Sequence, residues 1–259
     1  MTRSSLSKAL LAAVLGACLL PAQTANTKQP QPKGPKEVEA IQAMFQAQDP
    51  DARIAAANNL ITKFADTEFK ATAFYIAAFS AQQKNDMDNV IIYAEKALEA
   101  DPKFFGAQIM IAQALALRTK EFDLDKEEKL GRSEKMAKAA IDLIATALKP
   151  RPDIADEQWE GAKKDFTAQA HEALGLAALV RKKYDVCATE LGLAVTGANQ
   201  PDPSTMVRLA NCQIQTKQYD EAIAMLDKAA ADPNAAPQVK STAASLKIEA
   251  NKAKAAAAK

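Results

Sequence analysis

Apolar residues recur every three or four positions along most of the chain from residue 36 onward, which is the period of an amphipathic α-helix. The clearest segment is 71–104, ATAFYIAAFSAQQKNDMDNVIIYAEKALEADPKF, where the polar residues 84–86 separate two predicted helices. Asp101-Pro102 ends the second helix, because proline lacks an amide hydrogen and disfavours helix in the residue before it. We therefore predict a helical hairpin over this segment.

Two later segments repeat this arrangement. Residues 168–201 and 203–236 each contain two amphipathic helices around a short polar turn, in phase with the first segment. Small residues at matched positions let the helices of one hairpin approach closely, and large residues fill the groove to the next hairpin. The matched residues are Ala77, Ala78, Val90, Ala94, Ala97 and Pro102; Leu174, Gly175, Tyr184, Cys187, Leu191 and Ala194; and Leu209, Ala210, Tyr219, Ala222, Leu226 and Ala229.

At these positions the chain resembles the tetratricopeptide repeat family. The resemblance implies an all-α fold, a right-handed superhelix of helical hairpins that ends in a C-terminal capping helix. The third unit departs from the family, because it contains an insertion between its helices and a second insertion, 151–167, follows it. Residues 251–259 are expected to fray. The array covers residues 36–250, with units at 36–70, 71–104, 105–150, 168–201 and 203–236 and a cap at 238–250.

The N-terminus has the pattern of a bacterial-type export signal. Two basic residues precede the uncharged apolar run 9–20, which is too short to span a bilayer comfortably, and small residues follow it. We predict that residues 1–25 are removed on export to the periplasm or the medium and that 26–35 form a proline-rich linker. The alternative is lipid attachment at Cys18, because LGAC resembles a lipobox, although two leucines after the cysteine are unusual there.

Composition narrows the class of function. The net charge is +1, so no basic excess indicates nucleic-acid binding. The chain is rich in alanine and has only 8 glycines, which favours helices because alanine loses little entropy on ordering. No second apolar run follows the export signal, so no transmembrane segment is expected in the mature chain.

The acidic stretch 121–134, EFDLDKEEKLGRSE, allows two interpretations. Asp123, Asp125 and Glu127 alternate and Glu134 follows at the twelfth position, as in a calcium-binding loop. That loop requires glycine at its sixth position, where this chain has Glu128. The favoured interpretation is a helix that Asp125 and Glu128 open as a capping box and that runs to about Leu148. Its buried stripe would consist of Leu130, Ala137, Ile141, Ile144 and Leu148.

Residues with catalytic or metal-binding chemistry are sparse. His171 is the only histidine, so no zinc-ligand spacing exists, and no nucleophile-elbow or phosphate-binding glycine pattern occurs. We therefore expect His171 to pack within its repeat, and we expect no catalytic residue, cofactor or metal. An enzyme accessory or small hydrolase is the alternative from a different class.

Cysteine and tryptophan each leave two interpretations open. Cys187 and Cys212 lie on helices predicted to be neighbours, and export permits a disulfide, but the small-residue surroundings equally suit two buried thiols. Trp159 lies in the second insertion. It either packs across the repeat edge or is an exposed anchor for a partner, since tryptophan is enriched in interface hot spots.

The resemblance also implies a binding surface. In this family the first helices of successive units line a concave groove that binds peptides or helices, and here the groove would be mainly apolar. We therefore expect an interaction scaffold or adaptor of the cell envelope that binds an apolar or amphipathic segment in the groove or at the inserted edge. The alternative is a lipid-anchored outer-membrane assembly factor. The expected groove residues are Ile41, Phe45, Tyr75, Phe79, Gln82, Ile109, Gln113, Glu172, Leu176, Leu179, Arg208 and Asn211.

Overall fold

The computed structural model describes residues 30–150 and 153–258, so the predicted export signal with Cys18 and the first four residues of the linker, 26–29, lie outside the described residues. Within them the chain forms eleven α-helices and no β-strand, which confirms the all-α fold. The helices are α1 Pro35–Gln46, α2 Pro50–Lys63, α3 Lys70–Gln83, α4 Met87–Ala100, α5 Phe105–Arg118, α6 Lys126–Thr146, α7 Asp156–Val180, α8 Tyr184–Gly197, α9 Pro203–Gln215, α10 Tyr219–Ala231 and α11 Pro237–Ala257.

Three hairpins share one turn geometry. Asn85, Lys182 and Lys217 have positive φ angles of 58°, 59° and 64°, and each lies two residues before a second helix. The next residue's amide then donates to the carbonyl five residues before it, to Ala81, Ala178 and Gln213 respectively. This is the bond that closes a helix with a left-handed residue. The repeat pattern therefore extends to the backbone of the turns.

The described chain consists of two compact bodies. The first contains the described residues up to Met110 together with Thr146–Asp156, and the second contains Ile111–Ala145 and the described residues from Glu157 onward. The core of the first body consists of residues from α1, α2 and α3. Its buried members are Ala40, Met44, Ala57, Leu60, Ala73, Ile76 and Ala77.

A buried arginine connects the first two hairpins. Arg53 of α2 is only 2% exposed. Its guanidinium donates to the Ala47 and Gln48 carbonyls at the end of α1, at 3.0 and 3.1 Å, and to Gln83 Oε1 of α3 at 2.9 Å. Buried charge is tolerated when its donors are satisfied, and carbonyls at a helix C-terminus favour a cation. The expected apolar packing between hairpins is thus partly polar in this body.

The core of the second body combines an apolar cluster with a disulfide. Cys187 of α8 and Cys212 of α9 are bonded, with their Cα atoms 6.0 Å apart, and both are fully buried. Gly175 of α7 faces Leu191 of α8 so closely that an added Cβ would lie 2.5 Å from Leu191 Cγ. Close packing of the two helices therefore explains why this repeat position requires a small residue.

The first insertion has the expected form, an elongated helix that begins directly after Asp125. A short connection, residues 119–125, which we call the Phe122 turn, leads into α6, which is 21 residues long. Helix α6 ends at Thr146 and Leu148 is 57% exposed, so Leu148 does not belong to the buried stripe. The second insertion mostly extends the first helix of the fourth hairpin, because α7 runs unbroken for 25 residues from Asp156.

The structure decides between the two interpretations of Trp159 and corrects one expectation about the C-terminus. Trp159 is 3% exposed within α7, which agrees with a packing role and not with an exposed anchor. The C-terminal tail does not fray at residue 251, because α11 continues to Ala257. Alanine and lysine are strong helix formers, and Lys254 in that extension forms an ion pair with Asp220 of α10.

Candidate functional site

The expected groove has an apolar section in the first body. Phe45 of α1 and Phe79 of α3 are half-buried and pack against the same core cluster, as does Ile41, and Gln82 is also half-buried. Tyr75 does not line an open surface, because it is 8% exposed and its ring lies 5.1 Å from that of Phe104. A partner would therefore meet Ile41, Phe45 and Phe79 but not Tyr75.

The middle of the expected groove is closed. Residues 104–116, which include nearly all of α5, are buried on every face. Ile109 is 1% exposed, Gln113 9% and Leu176 5%, so none of these three expected groove residues is accessible. Sequence reasoning placed them by their phase within the repeat, which does not show how much of each helix its neighbours cover.

A polar network replaces the apolar lining in the second body. Glu172 Oε2 of α7 accepts a hydrogen bond from Gln113 Nε2 at 3.1 Å, while Glu172 Oε1 accepts from Thr205 Oγ1 at 2.6 Å and from Arg208 Nη1 at 3.3 Å. Three helices are thus joined through one carboxylate. Glu172 and Arg208 form an ion pair with each other, so neither presents an uncompensated charge to a ligand. Leu179 and Asn211 remain half-buried.

A cavity of about 390 Å³ adjoins this network. Asp165, Glu172 and Asp202 contribute carboxylates to its wall, and its lining residues include no lysine or arginine. The carboxylates are engaged within the protein: Asp165 accepts from the Asn199 backbone and side chain, both at 2.8 Å, and Asp202 caps α9 through the Thr205 amide at 2.9 Å. The acidic wall is therefore explained by helix and turn contacts.

A second cavity, of about 370 Å³, contains His171. Apolar residues and two lysines line it, and Lys163 Nζ lies 2.7 Å from Oε1 of Glu160, which is also a lining residue. His171 Nδ1 lies 2.7 Å from Glu190 Oε2 of α8, which places the histidine in an inter-helix pair as a structural role requires. The lining residues are Ile144, Ala145, Glu160, Lys163, Lys164, Thr167, Ala168, His171, Leu193, Thr196 and Gly197.

The Phe122 turn presents apolar side chains that the sequence interpretation missed. Phe122 is 88% exposed and Leu124 107%, although large apolar side chains are usually covered. They alternate with Glu121, Asp123 and Asp125, and this alternation in a turn was the available signal. The sequence interpretation considers the acidic residues alone, as metal ligands or helix caps.

The acidic residues of this segment are paired with basic side chains. Glu121 lies 2.6 Å from Lys182 Nζ, and Asp125 lies 2.8 Å from Lys129 Nζ. Arg181 donates to Glu127 at 2.7 Å and to Glu134 at 2.6 Å. The hydrogen bond from Arg181 holds the pKa of the Glu127 carboxyl below its ordinary value. These contacts attach the turn to the α7–α8 connection.

Two general features of the described residues bear on the site. Among residues 30–150 and 153–258, no group of three or more His, Cys, Asp or Glu side chains is placed to hold a metal ion. No helix within the same residues has the length and apolar character needed to cross a membrane.

Comparison with known proteins identifies the repeats. The tetratricopeptide repeat model matches residues 71–104 and 203–231. A thermophilic TPR protein of Thermus thermophilus is similar over 82% of this chain and 99% of its own, at 16% identity and a TM-score of 0.54. The assembly chaperone of RpL4 (Acl4) is similar over 84% of this chain and 86% of its own, at 18% identity and a TM-score of 0.56. No match was found among curated proteins. At these identities the solved structures show a shared fold.

Proposed function

We propose, from the premise that this chain is a tetratricopeptide repeat protein, that it is a non-catalytic scaffold whose Phe122 turn binds a partner protein. The proposal is supported above all by the exposure of Phe122 and Leu124. A partner with an apolar cleft would bury both side chains. Burial of apolar surface is the main favourable term in protein association.

The contacts around the turn support this assignment. Glu121 and Asp125 stand on either side of the two apolar residues in sequence, and each forms an ion pair with a lysine. Between them, Asp123 Oδ2 accepts a hydrogen bond from the Lys120 amide at 3.0 Å. A turn that is already ordered loses little conformational entropy on binding, so more of the apolar contact energy remains as affinity. Aromatic residues, phenylalanine among them, are enriched in protein interfaces relative to the rest of the surface.

A photo-crosslinking amino acid in place of Leu117, beside the turn and 46% exposed, tests the proposal in cell-envelope extract. We expect a discrete crosslinked partner, and we expect Phe122→Ser with Leu124→Ser to remove it because both anchors are lost. Ile248→Ser is the matched control, since Ile248 is a 58% exposed apolar residue on α11. If the turn variant captures the same partner as the unchanged protein, the turn is not the site.

The apolar groove section of the first body is a second candidate surface. Ile41, Phe45 and Phe79 are partly exposed there, and a partner's amphipathic helix would cover them with its apolar face. Phe79→Glu places a charge in that section. Loss of partner capture by this variant, with capture unaffected by the turn variant, would assign binding to the groove instead.

We further propose that the scaffold is exported to the bacterial-type cell envelope. Residues 1–25 have the composition of a signal peptide, and the disulfide between Cys187 and Cys212 suits an oxidising compartment. The alternative is a lipid-anchored assembly factor of the outer membrane, attached through Cys18. Intact mass of the mature chain separates the two, since export alone gives an N-terminus near Asn26 and anchoring gives a diacylated Cys18.

A further inference from the structure

The disulfide between Cys187 and Cys212 lies in the interior of the second body. Both cysteines are 0% exposed, and they belong to one apolar cluster to which α7, α8, α9, α10 and α11 all contribute. Leu191, one turn after Cys187 on α8, and Ala210 on α9 are also 0% exposed. The two sulfur atoms are therefore closed off from solvent and from any reagent dissolved in it.

Both cysteines are held within ordered helices. Cys187 lies in the first turn of α8, and its amide donates to the Lys183 carbonyl at 2.9 Å. The turn before α8 is closed by the Lys183 amide, which donates to the Ala178 carbonyl at 2.9 Å. Cys212 is the tenth residue of α9, and its carbonyl accepts from the Thr216 amide at 3.1 Å. To expose either sulfur, α8 and α9 have to separate.

Thiol–disulfide exchange needs access to a sulfur atom. When an external disulfide oxidises the protein, it first forms a mixed disulfide with one cysteine, and the second cysteine then displaces it. The two protein thiols lose two electrons and two protons, which the external disulfide takes up as it is reduced to two thiols. Reduction of the link by an external thiol passes through the same kind of mixed disulfide in reverse. Packed cores contain few voids larger than a water molecule, so this intermediate does not fit the closed second body.

We infer that packing of the second body fixes the redox state of Cys187 and Cys212. The link forms by exchange with an external disulfide oxidant before α8 and α9 close, and it is neither made nor broken in the closed body. A reductant acts on it only in opened or unfolded molecules. For a protein exported as proposed above, the oxidising compartment has to be reached before the second body packs. The inference is independent of the Phe122 turn and of any partner.

Reduction of the purified, oxidised protein by dithiothreitol tests this inference, with free thiols alkylated at intervals and counted by intact mass. The same protein unfolded in urea gives the rate of exchange with both sulfurs accessible. We expect the folded protein to lose the link at least about a hundredfold more slowly, because the open fraction of a packed core is on the order of 10⁻³ or less. Equal rates for the folded and the unfolded protein would overturn the inference.

Two destabilised variants show which body controls the reaction. Gly175→Ala should speed reduction of the folded protein about 5–30-fold, since an added Cβ would lie 2.5 Å from Leu191 Cγ and disturb the packing of α8. Arg53→Met alters the first body and is the matched control, with an unchanged rate expected. Circular dichroism verifies that both variants are folded. Equal acceleration by the two variants would also overturn the inference, because access to the link would then not depend on the packing of the second body.

Discussion

The same position of the repeat is occupied by different chemistry in the two bodies. Arg53 is the fourth residue of α2 and Cys187 the fourth residue of α8, and both are buried. Arg53 reaches Gln83 on α3, and Cys187 is bonded to Cys212 on α9, so each links a second helix to the first helix of the next hairpin. The repeat thus places this residue at the junction between hairpins but does not determine how the junction is held.

The difference has a consequence for stability. The guanidinium of Arg53 acts through hydrogen bonds that do not depend on redox conditions, whereas the Cys187–Cys212 link requires an oxidising compartment. Reducing conditions should therefore weaken the second body selectively.

Removal of the disulfide is expected to have the largest effect. Cys187 and Cys212 are 25 residues apart in sequence. Closing a loop of that length stabilises by about 3.5 kcal/mol in the chain-entropy description. Cys187→Ala with Cys212→Ala should lower the free energy of unfolding by about that amount in urea titration. A reductant should destabilise the unchanged protein similarly and leave the variant unaffected. Equal urea midpoints for both proteins, with and without reductant, would contradict the prediction.

Replacement of the buried arginine is expected to cost somewhat less. Arg53→Met keeps much of the side-chain volume but removes the donors to the Ala47 and Gln48 carbonyls and to Gln83. These bonds are partly buried, so water can replace part of what the guanidinium supplies to the three acceptors, and we expect a loss of about 1–3 kcal/mol in the free energy of unfolding, the range for one buried group left unpaired. Urea unfolding measures the loss, and hydrogen exchange should place it in α1 and α2. Arg53→Lys is the conservative control and should recover part of the loss, because it restores a cation without the fork of donors.

Glycine variants test whether packing in the hairpin that contains Cys187 is equally specific. Gly175→Ala should destabilise by about 1–2 kcal/mol despite the better helix propensity of alanine, because its Cβ would lie 2.5 Å from Leu191 Cγ. Gly131→Ala on α6 is the matched control. A Cβ there meets nothing within 4 Å, so the variant should be stabilised by about 0.5–1 kcal/mol. Equal thermal shifts for the two variants would show that the close contact is not a constraint.

The smallest expected effect concerns Arg181. Its hydrogen-bond partners are carboxylates, whereas those of Arg53 are two backbone carbonyls and a side-chain amide. Arg181→Gln should raise the pKa of the Glu127 carboxyl toward its ordinary value, as measured by NMR titration. In the unchanged protein that pKa is lowered. The pair therefore stabilises the fold above the unfolded pKa, and this contribution is lost as the pH falls through the folded pKa. An unaltered Glu127 titration in the variant would refute the assignment.

Much of the fold follows from local signals. Apolar spacing predicts the helix pairs, and Asp49, Asp86 and Asp202 stand where the structure shows side-chain caps at 3.0, 3.2 and 2.9 Å. The polar turns coincide with the left-handed residues. These features depend on residues within a few positions of each other, so they are visible in one sequence.

The candidate site was predicted less accurately from the sequence, because the solvent accessibility of a side chain depends on residues that are distant in sequence. Tyr75 and Gln113 had the correct phase for a groove but are covered, and Trp159 is buried within an extended α7. Phe122 and Leu124 alternate with acidic residues in a turn, but this pattern does not show whether a neighbouring segment covers them, and the structure shows both exposed. The burial of a side chain depends on which helices pack against it, and the position of a residue in the helical repeat does not give that information.

The amino-acid sequence by itself determined the all-α class, the hairpin repeat and the turns, because helix period, capping and proline act over a few residues. Tertiary structure decided which faces are open, that Arg53 and the two cysteines hold equivalent junctions, and that the acidic segment presents Phe122 and Leu124. These outcomes depend on which helices meet, since side chains far apart in sequence supply the atoms that cover, pair or leave each residue exposed.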